Sequence, residues 1–201
     1  MWALINDDNS INEIIRFSRS LTINNVKQPK AIFTKWSWSE LNAIGIYEVL
    51  DNGVKGNDFF EYTSQPTWTF NPDDDNVTSS YTITEKALDD STDSDGVITY
   101  GLKHYAKEKV KQQANDLIKR FNWLVERSIY DSSKTIPTAV VSYVTAIRTD
   151  SGEIETAIDG ASNLTEFKAL YTDTVNSDGN VTEVARVNRW TDDTNVKTYI
   201  R

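Results

Sequence analysis

Apolar and polar positions follow two different periods along the chain. Up to about residue 88, short apolar runs alternate with clusters of Asn, Asp, Gly and Pro. This pattern is typical of strands joined by turns. From residue 99 to 171 the apolar residues instead recur every three or four positions, as they do on one face of a helix. The two periods predict an α+β fold in which a β-rich domain precedes a helical one.

The predicted N-terminal domain covers residues 1–88 and contains one short helix. Apolar runs at residues 1–6 and 11–18 flank a cluster of turn-forming residues, which predicts a β-hairpin. Ser37 and Glu40 have the spacing of a capping box, so a helix is expected from Trp38 to Ile44. Further strands are expected at residues 46–50, 59–63, 66–70 and 77–84. Residues 27–36 contain Pro29 and are expected to be extended at a sheet edge or to form a loop.

Residues 89–98 are polar and acidic, with Gly96 near their end. Residues 71–96 have a net negative charge and residues 101–127 a net positive charge, and a change in the sign of charge commonly marks a boundary between domains. The composition therefore predicts an acidic linker here.

Residues 99–171 are predicted to form an antiparallel helical hairpin followed by a short third helix. One stripe predicts a single long helix over residues 102–128, and Asp131–Lys134 interrupts it. Pro137 then suits the first turn of a second helix. Asn163 and Glu166 have the spacing that caps the third helix. The remaining residues, 172–201, are expected to form an extended or β tail.

The two apolar stripes are the first candidate functional feature. A two-helix unit buries only the facing side of each stripe, and large exposed apolar patches generally mark interaction sites. We therefore expect the hairpin to carry the main protein–protein contact, with strand edges as the alternative interface. The candidate residues are Val110, Leu117, Phe121, Leu124, Val140, Val144 (with Tyr143 as the alternative stripe member), Ile147 and Ile154.

Composition narrows the classes of function. The chain has 201 residues, no Cys, one His and a net charge of −9. Thiolate chemistry and multi-His metal sites are therefore excluded, and we expect a protein that is not an enzyme and needs no cofactor. The acidic balance opposes nucleic-acid binding, and no apolar run has the length of a membrane span.

Three motifs offer alternative chemistry. Residues 91–102 resemble part of a calcium loop, but Leu102 stands where the chelating Glu is needed, so a flexible acidic segment is the preferred interpretation. The lysines around His104 are interpreted as an ordinary helix surface. Trp36, Trp38 and Trp68 would form a sugar-stacking surface if they were exposed together, although aromatic residues on sheets are more often core residues.

Several segments resemble those of a known group of proteins. The stretches Met1–Ile5, Ala31–Ser37 and Glu40–Tyr47 are similar to uncharacterised tail-region proteins of marine bacteriophages. Asn122–Arg127 and the pattern of Pro137, Tyr143 and Arg148 resemble the C-terminal helical module of phage tail fibre assembly proteins. The resemblance covers about residues 1–171.

The resemblance implies a non-enzymatic structural or adaptor protein of the virion tail, bound to tail fibre or baseplate subunits. Such a protein would be made in the host cytoplasm and retained in the virion, where it could also form a homo-oligomer. One alternative is a transient assembly chaperone that leaves the finished fibre. A second alternative is a receptor- or carbohydrate-binding tail module.

Overall fold

The computed structural model describes residues 1–200 and has the α+β fold that the two periods predict. The chain forms two compact units, of which the first comprises Met1–Thr84 and the second begins at Glu85. The predicted acidic linker at residues 89–98 is therefore part of the second unit.

A five-stranded sheet organises the first unit. Its strands are β1 (Trp2–Ile5), β2 (Ile11–Ile15), β5 (Ile46–Leu50), β7 (Thr67–Asn71) and β8 (Asn76–Ser80), in the order β2-β1-β5-β8-β7. Only β5 and β8 pair in parallel. The remaining elements are the paired strands β3 (Leu21–Ile23) and β4 (Val26–Gln28), the short helices α1 (Ile32–Lys35) and α2 (Trp38–Asn42), and the paired strands β6 (Glu61–Thr63) and β9 (Ile83–Glu85).

Side chains alternate between two apolar layers, one on each face of the sheet. On one face, Trp2, Leu4 and Ile46 pack against buried residues of α1, α2 and the β3–β4 hairpin. On the other face, Ala3, Val49 and Val77 pack with apolar residues that include Tyr47, Trp68 and Phe70. The edge strands β2 and β7 come into contact with each other, so the sheet curls around this second layer.

Local signals account for several of these elements. The Ser37 side chain accepts from the Glu40 backbone N–H, and the Glu40 carboxylate accepts from the Ser37 backbone N–H at 2.8 Å, which confirms the capping box. Helix α2 ends just before Gly45, whose φ of +80° is accessible to glycine at little cost. A larger residue at this position would also be crowded, because its Cβ would lie 3.0 Å from the Ile5 carbonyl oxygen.

The extended segment or loop predicted at residues 27–36 is wrong over its second half. Helix α1 forms there and buries Ile32 and Phe33 against the sheet, with the Phe33 ring 4.6 Å from that of Trp2. A single helical turn has almost no intrinsic stability. Its formation therefore depends on these tertiary contacts, which a local pattern does not contain.

The second unit is mainly helical. Its principal helices are α3 (Leu102–Lys119), α4 (Asn122–Tyr130), α5 (Thr138–Gly160) and α6 (Leu164–Ala169). Two small hairpins accompany them, one from β10 (Ser91–Thr92) and β11 (Ile98–Thr99) and one from β12 (Thr174–Val175) and β13 (Val181–Glu183). Helices α3 and α5 pack on each other, and Asn163 caps α6 by accepting from the Glu166 backbone N–H at 2.9 Å.

The acidic stretch is not a free linker. Leu102 and Lys103 at the start of α3 donate their backbone N–H groups to the carbonyls of Ala87 and Leu88, and the Gly101 N–H is bound by the Asp90 carboxylate at 2.8 Å. The first N–H groups of a helix have no partner within the helix, and a carboxylate near them is favourable. Residues 87–90 therefore close the N-terminus of α3, and residues 91–99 form the β10–β11 hairpin.

The single helix predicted over residues 102–128 is also wrong, because it breaks between Lys119 and Asn122. Phe121 takes φ −109° and ψ 0° and is buried with its ring 5.6 Å from that of Tyr143. Neither Gly nor Pro stands at the break. Burial of the Phe121 ring against α5, rather than a local breaker, is the physical reason.

Residues 184–200 are not an extended tail beyond the domain. We call residues 190–200 the C-terminal strap. Within it Val196 is buried, and Trp190, Tyr199 and Ile200 pack against the core shared by α3, α4 and α5. The Trp123 indole N–H donates to the Tyr199 carbonyl at 3.0 Å. The strap is thus part of the second unit's core.

Candidate protein-binding surface

Most of the residues predicted to bind a partner lie in the second unit's own core. Fully or almost fully buried side chains are found at Val110, Phe121, Leu124, Val140, Ile147 and Ile154. Leu117 and Val144 are half-buried at the edge of the same cluster. The prediction is therefore corrected for the six buried residues, because side chains enclosed by their own domain offer almost no surface to another protein. Of the six, Phe121 and Val140 also line the groove described below.

The C-terminal strap explains why a two-helix unit can bury these stripes. It covers one flank of α5, where the Thr191 backbone N–H donates to the Asp150 carboxylate at 2.7 Å. Just before the strap, the Arg186 guanidinium pairs with Glu153 at 2.9 Å. The strap supplies the apolar cover that the helices alone lack.

The opposite flank of α5 is open and forms an apolar groove. The groove has a volume of about 270 Å³. Val125 on α4 and Val141 on α5 are 46% and 50% exposed there. The other lining residues are Ile118, Phe121, Asn122, Ile136, Val140, Val144, Thr145 and Arg148. We call this the α4–α5 groove.

The exposed valines of the groove are not among the residues that the sequence predicted to bind a partner. Ile129 lies four residues after Val125, on the same face of α4, and is 73% exposed. Val141 lies three residues before Val144 on α5. The sequence did contain a signal for these residues. They lie just beside the main apolar stripe, so the apolar face of the helix is wider than one neighbouring helix can cover.

One charged side chain lines the groove, Arg148 on α5. Glu126 follows Val125 on α4 but is not among the lining residues. Neither side chain has an ion-pair partner within residues 1–200, whereas Arg127 stacks over the Trp123 ring at 5.2 Å. Next to the C-terminal strap, burial raises the pKa of the Tyr143 phenol, and the Asp193 carboxylate of the strap adds to the effect. The groove is therefore an apolar surface with one cation, Arg148, among its lining residues.

The three tryptophans do not form one surface. Trp36 and Trp38 flank the start of α2 and are partly exposed. Trp68 lies in β7 and packs into the layer on the opposite face of the sheet. The condition for a sugar-stacking surface, joint exposure of the three rings, is therefore not met, because Trp68 packs on the other face of the sheet.

A polar cluster stands where the parallel strands β5 and β8 end. The Asp51 carboxylate accepts from the Tyr81 hydroxyl at 2.5 Å and from the Ser79 hydroxyl at 2.8 Å, and the Lys55 ammonium lies 3.2 Å away. The Ser79 hydroxyl also accepts from the Gly53 backbone N–H at 2.9 Å. These bonds hold the loop after β5 against β8. The hydrogen bond from Tyr81, then those from Ser79 and Lys55, lower the pKa of Asp51 below its ordinary value of 3.8.

Because the pKa of Asp51 is lowered in this cluster, the stability of the first unit should depend on pH. A carboxyl whose pKa is depressed by folding contributes stability above its unfolded pKa and loses that contribution as the pH falls through the folded value. We expect Asp51→Asn to lower the unfolding temperature at neutral pH, and the difference from the wild type to shrink below about pH 3.8. Thermal unfolding across that range measures this, with Asp73→Asn as the exposed control. A difference that is constant with pH would contradict the assignment.

The other motifs have structural partners. The Asp93 carboxylate accepts from the backbone N–H groups of Asp95 and Val97, both at 2.9 Å, and so shapes the β10–β11 turn. Lys103 and Lys107 pair with Asp89 and Asp159 at 2.9 and 2.7 Å. In the part of the chain that the structure describes, no group of three or more His, Asp or Glu side chains is arranged to hold a metal ion. Nor does any helix of residues 1–200 combine the length and apolar character needed to cross a membrane.

Comparisons with protein-family models, with curated proteins and with solved structures found no match to this chain.

Proposed function

We propose that this chain is a non-enzymatic structural or adaptor protein of a bacteriophage tail, associated with tail fibre or baseplate subunits and retained in the virion. Support comes from the segments that resemble phage tail-region proteins, above all Ala31–Ser37, Glu40–Tyr47 and Asn122–Arg127. The single structural observation that supports it is the open α4–α5 groove, a small apolar surface where Val125 and Val141 stay about half exposed and to which an apolar side chain of another protein could bind.

The structure supplies a physical basis for a passive role. Each unit has its own apolar core, and the polar cluster at Asp51 is engaged in holding a loop. The second unit leaves the apolar α4–α5 groove open to other molecules. An adaptor needs such a surface on a stable scaffold, whereas catalysis needs positioned reactive groups.

Quantitative mass spectrometry of purified virions of a phage that encodes this chain tests the proposal. We expect the chain in washed particles at a constant ratio to the tail tube protein, since retained components of a symmetric tail have a fixed copy number. Absence from the particles would overturn retention. Recovery with the fibre protein from infected cells, but not from particles, would establish the chaperone alternative instead.

A further inference from the structure

We propose that a polar cleft in the first unit binds a neutral saccharide. The cleft has a volume of about 510 Å³, which is within the range of small-molecule sites. It lies where the turn from β1 to β2, the turn from β3 to β4 and the turn from α2 to β5 come together, and we call it the three-turn cleft. This inference does not depend on the role in a phage tail.

Polar side chains that are not engaged elsewhere line the three-turn cleft. Four of them have no hydrogen-bond partner within residues 1–200, namely Asp7, Asn12, Thr22 and Asn24. Beside them, the Asn6 amide and the Asp8 carboxylate are both held by the Ser10 hydroxyl. An amide or a hydroxyl can donate and accept hydrogen bonds, and a carboxylate accepts them. These side chains therefore match the hydroxyl groups of a sugar, each of which also donates and accepts.

Local irregularities of the backbone place two of these side chains at the cleft. The register of β1 and β2 shifts after Leu4, which leaves Asn12 as the extra residue of a β-bulge. A bulge changes the direction of a side chain, and bulges are common beside functional sites. Asn24 has a φ of +50° in the tight turn between β3 and β4, a conformation that asparagine adopts more readily than most residues. The fold thus presents both amides at the cleft.

The charge and the apolar part of the lining select the class of ligand. No Lys, Arg or His lines the cleft, whereas Asp7 and Asp8 do, so a phosphate or another anion would be repelled. Within residues 1–200, no His, Asp and Glu side chains are grouped so as to hold a metal ion. The apolar lining residues include Leu4, Ile23 and Ile44. A pyranose ring carries hydroxyl groups at its edge and C–H groups on its faces, so it matches both parts of this lining.

Saturation-transfer NMR of the full chain with single sugars tests the proposal. The probes are D-glucose, D-galactose, D-mannose and N-acetyl-D-glucosamine at up to about 20 mM, which covers binding in the millimolar range. We expect saturation transfer to at least one of them, and its absence from all of them would overturn the proposal.

A charged analogue tests the preference for a neutral ligand. The uronate that corresponds to the sugar that binds should bind about three- to tenfold more weakly, because its carboxylate is repelled by Asp7 and Asp8. Titration of the isotope-labelled chain, followed by its backbone amide shifts, measures both dissociation constants. A uronate that binds as tightly as the neutral sugar would contradict the assignment.

Two glycine substitutions in one turn test the location of the site. Asn24 and Asn25 have φ values of +50° and +61°, so glycine suits the backbone at both positions. Of the two, Asn24 lines the cleft. Asn24→Gly should therefore weaken sugar binding about five- to tenfold, the effect of one lost hydrogen bond, whereas Asn25→Gly should leave it unchanged. Thr22→Val, which removes a lining hydroxyl, should weaken binding as well. Thermal unfolding checks that each variant is folded, and equal affinities of the two glycine variants would overturn the site.

Discussion

Replacing Ile154 by alanine is expected to destabilise the second unit by about 3 kcal/mol, within the range observed for buried Ile or Leu truncated to Ala. Ile154 is fully buried in α5, which packs against α3. The substitution removes apolar contacts and leaves a cavity that a close-packed core fills only in part. Urea unfolding of the full chain, followed by the helical circular-dichroism band, measures the loss, because most helical residues lie in this unit.

Val141→Ala on the same helix is the matched control. Val141 is half exposed on the groove side, so its truncation should cost less than about 0.5 kcal/mol at concentrations where the chain is monomeric. Equal losses for the two variants would mean that the buried face of α5 is no better packed than its open flank. Leu117→Ala, at a half-buried position, should fall between the two.

Gly101→Ala is expected to destabilise the second unit by about 2–3 kcal/mol, since it forces extra atoms into a packed site. A Cβ at Gly101 would lie 2.4 Å from the Leu88 carbonyl oxygen and 2.5 Å from that of Asp89. Those are backbone atoms, so relief requires residues 87–90 to move away from the N-terminus of α3. The hydrogen bonds that close this helix end would then be weakened.

Gly152→Ala is a control for which the expected change in stability has the opposite sign. Gly152 lies in the interior of α5, and a Cβ there would meet no other atom within 4 Å. Alanine should therefore stabilise the helix by roughly 0.5–1 kcal/mol. Thermal unfolding of both variants distinguishes crowding from helix propensity. A stable Gly101→Ala variant would show that residues 87–90 are not held against α3.

The candidate surface could be predicted only in outline. The apolar stripes at Phe121, Val140 and Ile147 identified the helical hairpin as the place where apolar surface is concentrated. They also identified which face of each helix is buried. The exposed groove residues, Val125 and Val141, lie beside those stripes, and their exposure depends on which flank of α5 another segment covers.

What the sequence by itself determined are the features that depend on neighbours a few residues away. The turn at residues 7–10, the capping pairs Ser37 with Glu40 and Asn163 with Glu166, and strand β5 all formed where their patterns predict them. A cap joins groups three residues apart, so the residues that make it are visible in one short window of sequence.

Only the tertiary structure decided which apolar surface is covered and which is left open. Phe121 breaks a helix because it packs on Tyr143, and Val196 covers the same core from the far end of the chain. Burial releases free energy in proportion to the apolar area removed from water, whichever segment supplies the cover. The period of a helix shows which side chains need cover. It does not show that residues 190–200 provide that cover on one flank and leave the α4–α5 groove exposed on the other.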